Sequence, residues 1–169
     1  MLSRPAINFV RNGQMLIVED TRQKVGKHEA KHEYWDKTGT AWARQTLLFG
    51  DYWAAPRIAI DTKQDIQEVV ANMCGSGREK ARFRRECQKA QAAGCKLIFL
   101  IEDKRYNVPE DLLGTKIYIL NGQTIPGDQA YLAMKMHEER YGVEFWFCDP
   151  AESGRVIKEL LEEWAKGTF

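Results

Sequence analysis

Long hydrophobic runs are missing from this sequence of 169 residues. Apolar stretches such as "LIFLI" at 97–101 are far shorter than the roughly 20 residues that span a bilayer. The N-terminal region also lacks a charged segment followed by an apolar one, which is the pattern of a secretory signal. We therefore expect a protein without a membrane partner, located in the cytoplasm.

Paired cysteine motifs and a strong excess of one charge are also missing. The four cysteines form no CxxC pair, so reduced thiols are expected rather than disulfides or a zinc knuckle. The 25 basic and 24 acidic residues give a formal net charge of +1, which excludes a polycationic DNA coat but allows a local basic patch.

The composition that remains is that of a folded globular protein. Hydrophobic residues make up 44% of the chain and charged residues 29%, with no internal repeat and no low-complexity segment. The length suits one domain with a sizeable core, so we predict a single domain over residues 1–169.

The first half of the chain predicts strands that end in acidic residues. "INFVRNGQMLIVED" at 7–20 reads as a hairpin turning at Asn12-Gly13, with Asp20 at the end of its second strand. A polar helix with a large exposed face is predicted over 27–37. "ARQTLLFGDY" and "RIAID" then read as antiparallel strands joined by "WAAP", and Asp65 with Glu68 forms the capping box of a following helix.

The second half alternates helices and strands. Helices are predicted over 78–93, 128–141 and 150–165, the last capped by Asp149, and strands at "KLIFLIE", "KIYIL" and "VEFWF". Early strands followed by this alternation predict an α/β sandwich with a mixed central sheet and helices on both faces.

Two aspartates and a lysine stand at the rims of apolar segments. Asp51 and Asp61 would lie near adjacent strand ends, and the two-residue period of a strand directs Asp61 and Lys63 to the same side. Phosphodiester hydrolysis commonly uses a cation held by carboxylates, with a lysine that orients water or stabilises developing charge. The same residues could instead be simple turn formers, because so short a pattern recurs by accident.

These residues resemble the nuclease domain of the XPF/Mus-type structure-specific endonucleases, within the PD-(D/E)xK superfamily. Gly50-Asp51 corresponds to the GD of that family, Asp61-Thr62-Lys63 stands where ERK is expected, and "IVEDTRQK" at 17–24 is similar to the upstream VDxRE element. The three elements occur in the family's order, and a looser similarity extends over nearly the whole chain.

The resemblance implies a restriction-endonuclease-like three-layer sandwich that cuts branched or otherwise structured DNA. It implies Asp20, Asp51 and Asp61 as acidic site residues that bind Mg²⁺ or Mn²⁺, together with the Thr62 carbonyl. Lys63 would be the catalytic lysine and Arg22 a phosphate contact. It also implies DNA as partner, a possible homodimer, and a compact stand-alone version of the kind that phages carry, acting in the bacterial or infected host cytoplasm.

Two positions depart from the family pattern. Gln23 replaces the glutamate of VDxRE, and Thr62 replaces the arginine of ERK. Glu19, Glu29 or Glu33 could supply the missing carboxylate. A second hypothesis is therefore a catalytically silent domain of the same fold that binds DNA or another partner.

"HEAKH" at 28–32 matches the HExxH motif, in which two histidines bind zinc and a glutamate activates water. A zinc peptidase that uses His28, Glu29 and His32 is a remote alternative, because the predicted helix is strongly polar and a solvated helix face explains the pattern. Lys27, Lys31 and His28 could instead contact phosphates.

The helix predicted over 78–93 has a local excess of positive charge. Arg78, Arg82 and Arg85 fall on one side of it and could face DNA, with the affinity that such clusters provide. Interleaved arginines and glutamates are equally typical of an exposed helix with i to i+4 pairs.

Overall fold

A six-stranded mixed sheet forms the centre of the computed structural model, which describes residues 15–75, 77–119 and 122–167. In chain order its strands are β1 (Leu16–Asp20), β2 (Ala41–Gln45), β3 (Tyr52–Ala54), β4 (Ile58–Lys63), β5 (Lys96–Ile101) and β8 (Glu144–Phe147). The spatial order is β2-β1-β3-β4-β5-β8. Strand β3 pairs antiparallel with β1 and β4, whereas the other neighbouring pairs are parallel.

In the part of the chain that the structure describes, five helices surround this sheet. They are α1 (Glu29–Lys37), α2 (Ile66–Cys74), α3 (Arg78–Ala92), α4 (Gly127–Tyr141) and α5 (Ser153–Ala165). Short 3₁₀ turns cover Pro109–Leu112 and Pro150–Glu152, and a separate two-stranded sheet pairs β6 (Lys116–Tyr118) with β7 (Thr124–Pro126).

The helices divide between the two faces of the large sheet. Side chains of α1 and α5 pack with Ile17, Ile60 and Ile98 in one apolar cluster. Side chains of α2, α3 and α4 pack with Phe99 and Phe145 in a second, larger cluster. The predicted three-layer α/β sandwich with a mixed sheet is therefore confirmed.

Most predicted elements occur, with one clear error in the first half of the chain. "ARQTLLFGDY" is not one strand, because β2 pairs parallel with β1 and the chain must bend over residues 46–51 before β3 returns antiparallel. The predicted antiparallel pairing with β4 is confirmed. "WAAP" is only partly a turn, however, because Trp53 and Ala54 belong to β3 and pair with β4. The first strand of the predicted hairpin and its Asn12-Gly13 turn lie outside the described residues.

Helix α1 is less exposed than its polar sequence predicts. Trp35 is fully buried and donates from Nε1 to the Gly154 carbonyl at 2.8 Å, and Lys31 is only 7% exposed. A side chain at Gly154 would place its Cβ 3.0 Å from the Lys31 Cα, so the glycine allows α5 to approach α1 closely. The prediction of a solvated face at His28 and Lys31 is therefore wrong.

Two further predictions can be compared with the structure. Across residues 15–75, 77–119 and 122–167, every helix is too short or too polar to cross a membrane. Cys74, Cys87, Cys95 and Cys148 are all free thiols, as predicted.

Candidate active site

A cleft of about 580 Å³ opens beside the ends of β1, β4 and β5 and the adjoining face of α3. Its lining carries carboxylates and cations side by side. The carboxylates belong to Asp20, Asp51, Asp61, Glu68, Glu86 and Glu102. The cationic side chains are those of Arg22, Lys27, Lys63, Arg82, Arg85 and Lys89. We call this space the cleft below.

Strand β4 directs Asp61 and Lys63 into the cleft together. Successive side chains of a strand point to opposite faces, so residues two apart share a face. The Lys63 ammonium contacts Asp61 Oδ2, and each residue is only 6% exposed. Lys63 Nζ also lies 3.9 Å from Glu68 Oε1. The predicted convergence of these two side chains is therefore present in the structure.

Asp51 lies between β1 and β4, at the start of β3. Its backbone N–H donates to the Ile60 carbonyl and its carbonyl accepts from Asp20 N, both at 2.8 Å. Its Oδ2 atom accepts from Thr62 N at 2.9 Å and from Thr62 Oγ1 at 2.6 Å. The hydrogen bonds of Thr62 therefore hold the Asp51 carboxylate, a role that sequence analysis did not assign to it.

Gly50 gives the backbone the left-handed conformation that the turn before Asp51 requires. Its φ of 71° lies in the left-handed region that favours glycine, and a Cβ there would lie 3.2 Å from the Ile60 carbonyl oxygen. The Gly50 N–H donates to Glu86 Oε1 at 3.0 Å. Glu86 of α3 is thereby tied to the GD segment.

The buried charges in the cleft shift one another's protonation. Burial raises the pKa of Asp51, and burial together with the charges of Asp51 and Glu86 raises the pKa of Asp61 further. Burial opposes the charged form of Lys63, but Asp61, Glu68 and Glu86 outweigh it and raise the pKa of Lys63. One buried ammonium thus faces several carboxylates, a balance that favours an added cation.

Asp20 lines the cleft, but its carboxylate is already bound. Arg22 Nε donates to Asp20 Oδ2 at 2.6 Å, and Asp20 Oδ1 accepts from Arg22 N at 3.2 Å and Leu47 N at 3.4 Å. The Arg22 guanidinium also donates to the Leu47 carbonyl at 2.8 Å, while its side chain remains 60% exposed. Asp20 therefore holds an arginine at the rim of the cleft.

The carboxylate oxygens of the cleft are suited to a hard cation that binds only one or two protein groups. Over the described ranges, no three His, Cys, Asp or Glu side chains converge as a ready metal cluster. Asp61 Oδ2 has the Lys63 ammonium beside it but makes no well-oriented hydrogen bond there. Mg²⁺ is usually bound through one or two carboxylates plus water and substrate oxygens, and Asp51 with Asp61 satisfies that requirement.

The cations of α3 divide between two surfaces. Arg82, Arg85 and Lys89 line the cleft, whereas Lys80 and Arg84 line a separate groove against α4. Arg78 is not part of the cleft lining, since it lies one turn, about 6 Å, beyond Arg82 along the helix axis. That Arg78 contacts DNA together with Arg82 and Arg85 stays a prediction.

The HExxH motif does not form a zinc site. His28 precedes α1, and its Nε2 and Nδ1 atoms contact Gln23 Oε1 at 2.9 Å and Lys31 Nζ at 3.2 Å. His32 stacks on Trp42 at a centroid distance of 4.0 Å and directs Nε2 toward Glu19. The two histidines face different partners, so the zinc peptidase alternative loses its geometric basis.

The alternatives offered for the missing glutamate are also absent from the cleft. Glu19 is only 1% exposed and pairs with His32 and Arg44, while Glu29 and Glu33 are outside the cleft lining. Lys27 does line the cleft, but Lys31 is buried against Glu102 at 2.6 Å and is not available to a phosphate.

Sequence reasoning missed three carboxylates of the cleft, and one of them, Glu68, was predicted only as a helix-capping residue. Glu102 directly follows β5, so the rule that identified Asp20 at the end of β1 could have found it. Glu86 stands within an arginine-rich helix, and only the fold shows that this helical position faces Gly50.

The sandwich and the position of the cleft define the restriction-endonuclease-like class of α/β proteins. Comparison with models of protein families finds no match, and no curated protein matches either. Among solved structures, XPF from Aeropyrum pernix is similar with 18% identity and a TM-score of 0.60, over 86% of this chain and 64% of that one.

A second structure of XPF from Aeropyrum pernix, in complex with DNA, gives 17% identity and a TM-score of 0.62. It covers 91% of this chain and 66% of that one. The chain thus spans about two thirds of the length of the XPF chains that it matches. It has an XPF-like nuclease fold, as the sequence predicted.

Proposed function

We propose that this protein is a metal-dependent DNA endonuclease that hydrolyses phosphodiester bonds in branched or otherwise structured DNA. The observation that carries the proposal is the buried Asp61 and Lys63 pair, which lies with Asp51 in one cleft rimmed by cations. Two carboxylates and an ammonium seldom lie together in a cleft for structural reasons alone, because removing these charged groups from water costs free energy.

The raised pKa of Lys63 defines what this side chain can do. Burial opposes its charge, but the neighbouring carboxylates keep the pKa above that of a free lysine, so the group is protonated at neutral pH. A protonated ammonium donates hydrogen bonds and stabilises negative charge, but it does not accept a proton. Lys63 therefore orients the attacking water or stabilises the charge that develops on the phosphate.

Asp51, Asp61 and the Thr62 carbonyl would hold Mg²⁺ or Mn²⁺, with Asp20 at the edge of the same cleft. Bound there, the cation would neutralise phosphate charge and lower the pKa of a coordinated water. The protein contributes the orientation, because Thr62 fixes Oδ2 of Asp51 through two hydrogen bonds.

The rim of the cleft supports DNA as the substrate. Arg22, Lys27, Arg82, Arg85 and Lys89 surround the carboxylates at positions suited to phosphate contacts. The similar XPF from Aeropyrum pernix has been solved in complex with DNA. We extend that partner to this chain on the combined strength of its fold and its cationic rim.

Incubation of the purified protein with branched, single-stranded and duplex DNA in the presence of Mn²⁺ tests the proposal. We expect cleavage of branched DNA, and removal of the cation with EDTA should stop it. The rival is a silent DNA-binding domain of the same fold, which Gln23 favours because an amide cannot replace the anionic ligand. Binding of every substrate with cleavage of none would select that rival.

Lys63→Ala and Asp61→Asn should each lower the cleavage rate at least about 100-fold, since Lys63 would stabilise charge that develops in the transition state and Asp61 would hold the cation. DNA affinity, measured by fluorescence anisotropy, should change little because the rim supplies most of the attraction. Lys104→Ala is a matched control, since Lys104 is exposed and absent from the cleft lining. Unchanged cleavage in both site variants would remove the assignment.

A further inference from the structure

A chain of polar side chains leads from the interface between α1 and α5 to Asp51. Lys31 Nζ lies 2.6 Å from Glu102 Oε1 and 3.2 Å from His28 Nδ1. His28 Nε2 lies 2.9 Å from Gln23 Oε1, and Gln23 Nε2 donates to Asp51 Oδ1. Lys31 and His28 are only 7% and 6% exposed, so solvent does not replace these contacts.

The chemistry of the groups allows only one direction for this chain. A lysine ammonium has three donors and no acceptor, so His28 Nδ1 must accept from Lys31. The proton of a neutral His28 then resides on Nε2, which donates to the amide oxygen of Gln23. The amide nitrogen of Gln23 is consequently directed toward Asp51, where a carboxylate oxygen can only accept.

We propose that Lys31, His28 and Gln23 form a directional hydrogen-bond relay that positions the Asp51 carboxylate. Each member is a positioning residue that acts through the next, and Lys31 is the origin because it cannot reverse its polarity. Ser153 Oγ donates to Glu102 Oε1 at 2.5 Å and anchors the partner of that lysine to α5.

The relay explains how a glutamine can occupy the site of a family carboxylate. Gln23 and Thr62 donate to different oxygens of Asp51, so they fix the plane of its carboxylate from two sides. Each carboxylate oxygen has about two lone-pair directions. The two hydrogen bonds from Thr62 occupy those of Oδ2, whereas Gln23 occupies one of Oδ1, so the other on Oδ1 remains for a cation. This consequence for catalysis rests on the proposed function, whereas the geometry of the relay does not.

The electrostatic surroundings of His28 agree with a neutral ring. Burial, followed by the positive charges of Lys31 and Lys27, lowers the pKa of His28 to about 4. Glu102 opposes this shift, and His32 adds to it. A neutral ring keeps one acceptor nitrogen, which the relay requires at Nδ1.

Nitrogen-15 NMR of the histidine rings in the metal-free protein tests the relay directly. We expect the resonances of His28, assigned by their loss in His28→Gln, to show a single neutral tautomer with the proton on Nε2 at pH 7. A proton on Nδ1, or a doubly protonated ring, would overturn the proposal. This measurement needs neither a metal nor DNA.

A charge-neutral double variant tests whether Lys31 sets the tautomer. Lys31→Met alone would leave Glu102 without its cationic partner, so Lys31→Met is combined with Glu102→Gln to preserve volume and net charge. We expect His28 to lose its single tautomer and show exchange between the two forms. An unchanged spectrum in the folded double variant would show that Lys31 does not direct the relay.

Mn²⁺ binding, measured by titration calorimetry, tests the link from the relay to Asp51. Gln23→Leu should weaken binding by roughly tenfold, the effect typical of residues that orient a ligand. Adding the Lys31→Met and Glu102→Gln changes, which together leave the net charge beside the cleft unchanged, should weaken it little further, because Lys31 acts on Asp51 through the same glutamine. Additive losses would contradict a relay.

The two proposals fail in different ways. If Asp51→Asn leaves Mn²⁺ binding unchanged, the metal site of the proposed function is wrong while the tautomer of His28 still decides the relay. If Asp51→Asn abolishes binding and Gln23→Leu has no effect, the metal site stands and the relay is overturned.

Discussion

Gly50 connects the backbone conformation of one residue to the position of a candidate ligand. Its positive φ turns the chain so that Asp51 N reaches the Ile60 carbonyl and the Asp51 carboxylate reaches Thr62. A Cβ added at Gly50 would lie 3.2 Å from the Ile60 carbonyl oxygen of β4, and the Gly50 N–H points toward Glu86. The glycine of the GD pair is therefore required for both conformation and space.

Gly50→Ala should destabilise the fold more than Gly39→Ala. Both glycines have positive φ, 71° and 65°, so each alanine costs about 1–2 kcal/mol in backbone conformation. Only at Gly50 would the new Cβ also press on β4, whereas nothing lies within 4 Å of it at Gly39. We expect an extra loss of about 1 kcal/mol at Gly50, from the usual range for overpacking.

Urea unfolding of the two glycine variants, followed by circular dichroism, measures this difference. Gly39→Ala is the control, because it carries the conformational cost without the contact. Equal losses in both variants would show that β4 tolerates the added methyl group and that Gly50 is needed for its φ alone.

The start of α2 shows how one helix is held beside the cleft. Asp65 caps it, with Oδ1 accepting from Glu68 N at 2.8 Å, as the sequence predicted. Glu68 Oε2 returns to Gln64 N at 2.9 Å rather than to the capping residue. A second aspartate, Asp103, accepts from Ile66 N at 3.3 Å across 37 residues of sequence.

Asp103→Asn should destabilise the protein at neutral pH and much less at low pH. Burial alone would raise the pKa of Asp103, but hydrogen bonds from Arg105 and Ile66 outweigh it and lower the pKa. A lowered pKa in the folded state means that the stabilisation is present above the unfolded value, about 3.9, and is lost as pH falls through the folded pKa. The loss at pH 7 should be about 1–3 kcal/mol, as for a charged hydrogen-bonded group.

Unfolding of wild type and Asp103→Asn, compared at pH 7 and near pH 3, measures the expected convergence. Glu33→Gln is a suitable control, since this glutamate is exposed in the middle of α1 and its pair with Lys37 is a surface pair, so the change should stay within about 0.5 kcal/mol. A difference that is equally large at both pH values would mean that the charge of Asp103 is not what stabilises α2.

At the scale of the molecule, the net charge is near zero, yet cationic side chains of the described residues line two separate surfaces. The formal net charge is only +1, yet five cationic side chains rim the cleft besides Lys63. Lys80, Arg84 and Arg140 line the groove on the other side of α3, against α4. Because phosphate binding depends on local rather than net charge, the fold determines which cations contact DNA.

Arg82→Gln with Arg85→Gln should weaken DNA binding and reduce its salt dependence. Each lost phosphate contact lowers the slope of log affinity against log salt by about 0.9 for duplex DNA. Lys80→Gln with Arg84→Gln removes the same net charge from the same helix but on the other groove. Anisotropy titrations over a range of salt concentrations should show a reduced slope only for the first pair, and equal slopes would refute the assigned interface.

Local sequence patterns were sufficient to predict most secondary-structure elements and the central pair of the candidate site. The two-residue period of β4 placed Asp61 and Lys63 on one face. Helix-forming residues, apolar periodicity, capping residues and bounding glycines together located the five helices of the described residues. These features depend on neighbours within one turn or one strand, so a single sequence contains their physical cause. The bend between β2 and β3 was missed, because strand pairing with β1 rather than local propensity divides that segment.

Tertiary structure alone decided which side chains meet in the cleft. The hydrogen bond between Gln23 and Asp51 spans 28 residues, that between Gly50 and Glu86 spans 36, and the burial of Lys31 depends on α5 near the end of the chain. Such contacts arise from the order of strands and the packing of helices over them. The sequence by itself determined the elements and the central acid and lysine pair, whereas the fold selected their partners, because partner choice depends on distances that no local pattern encodes.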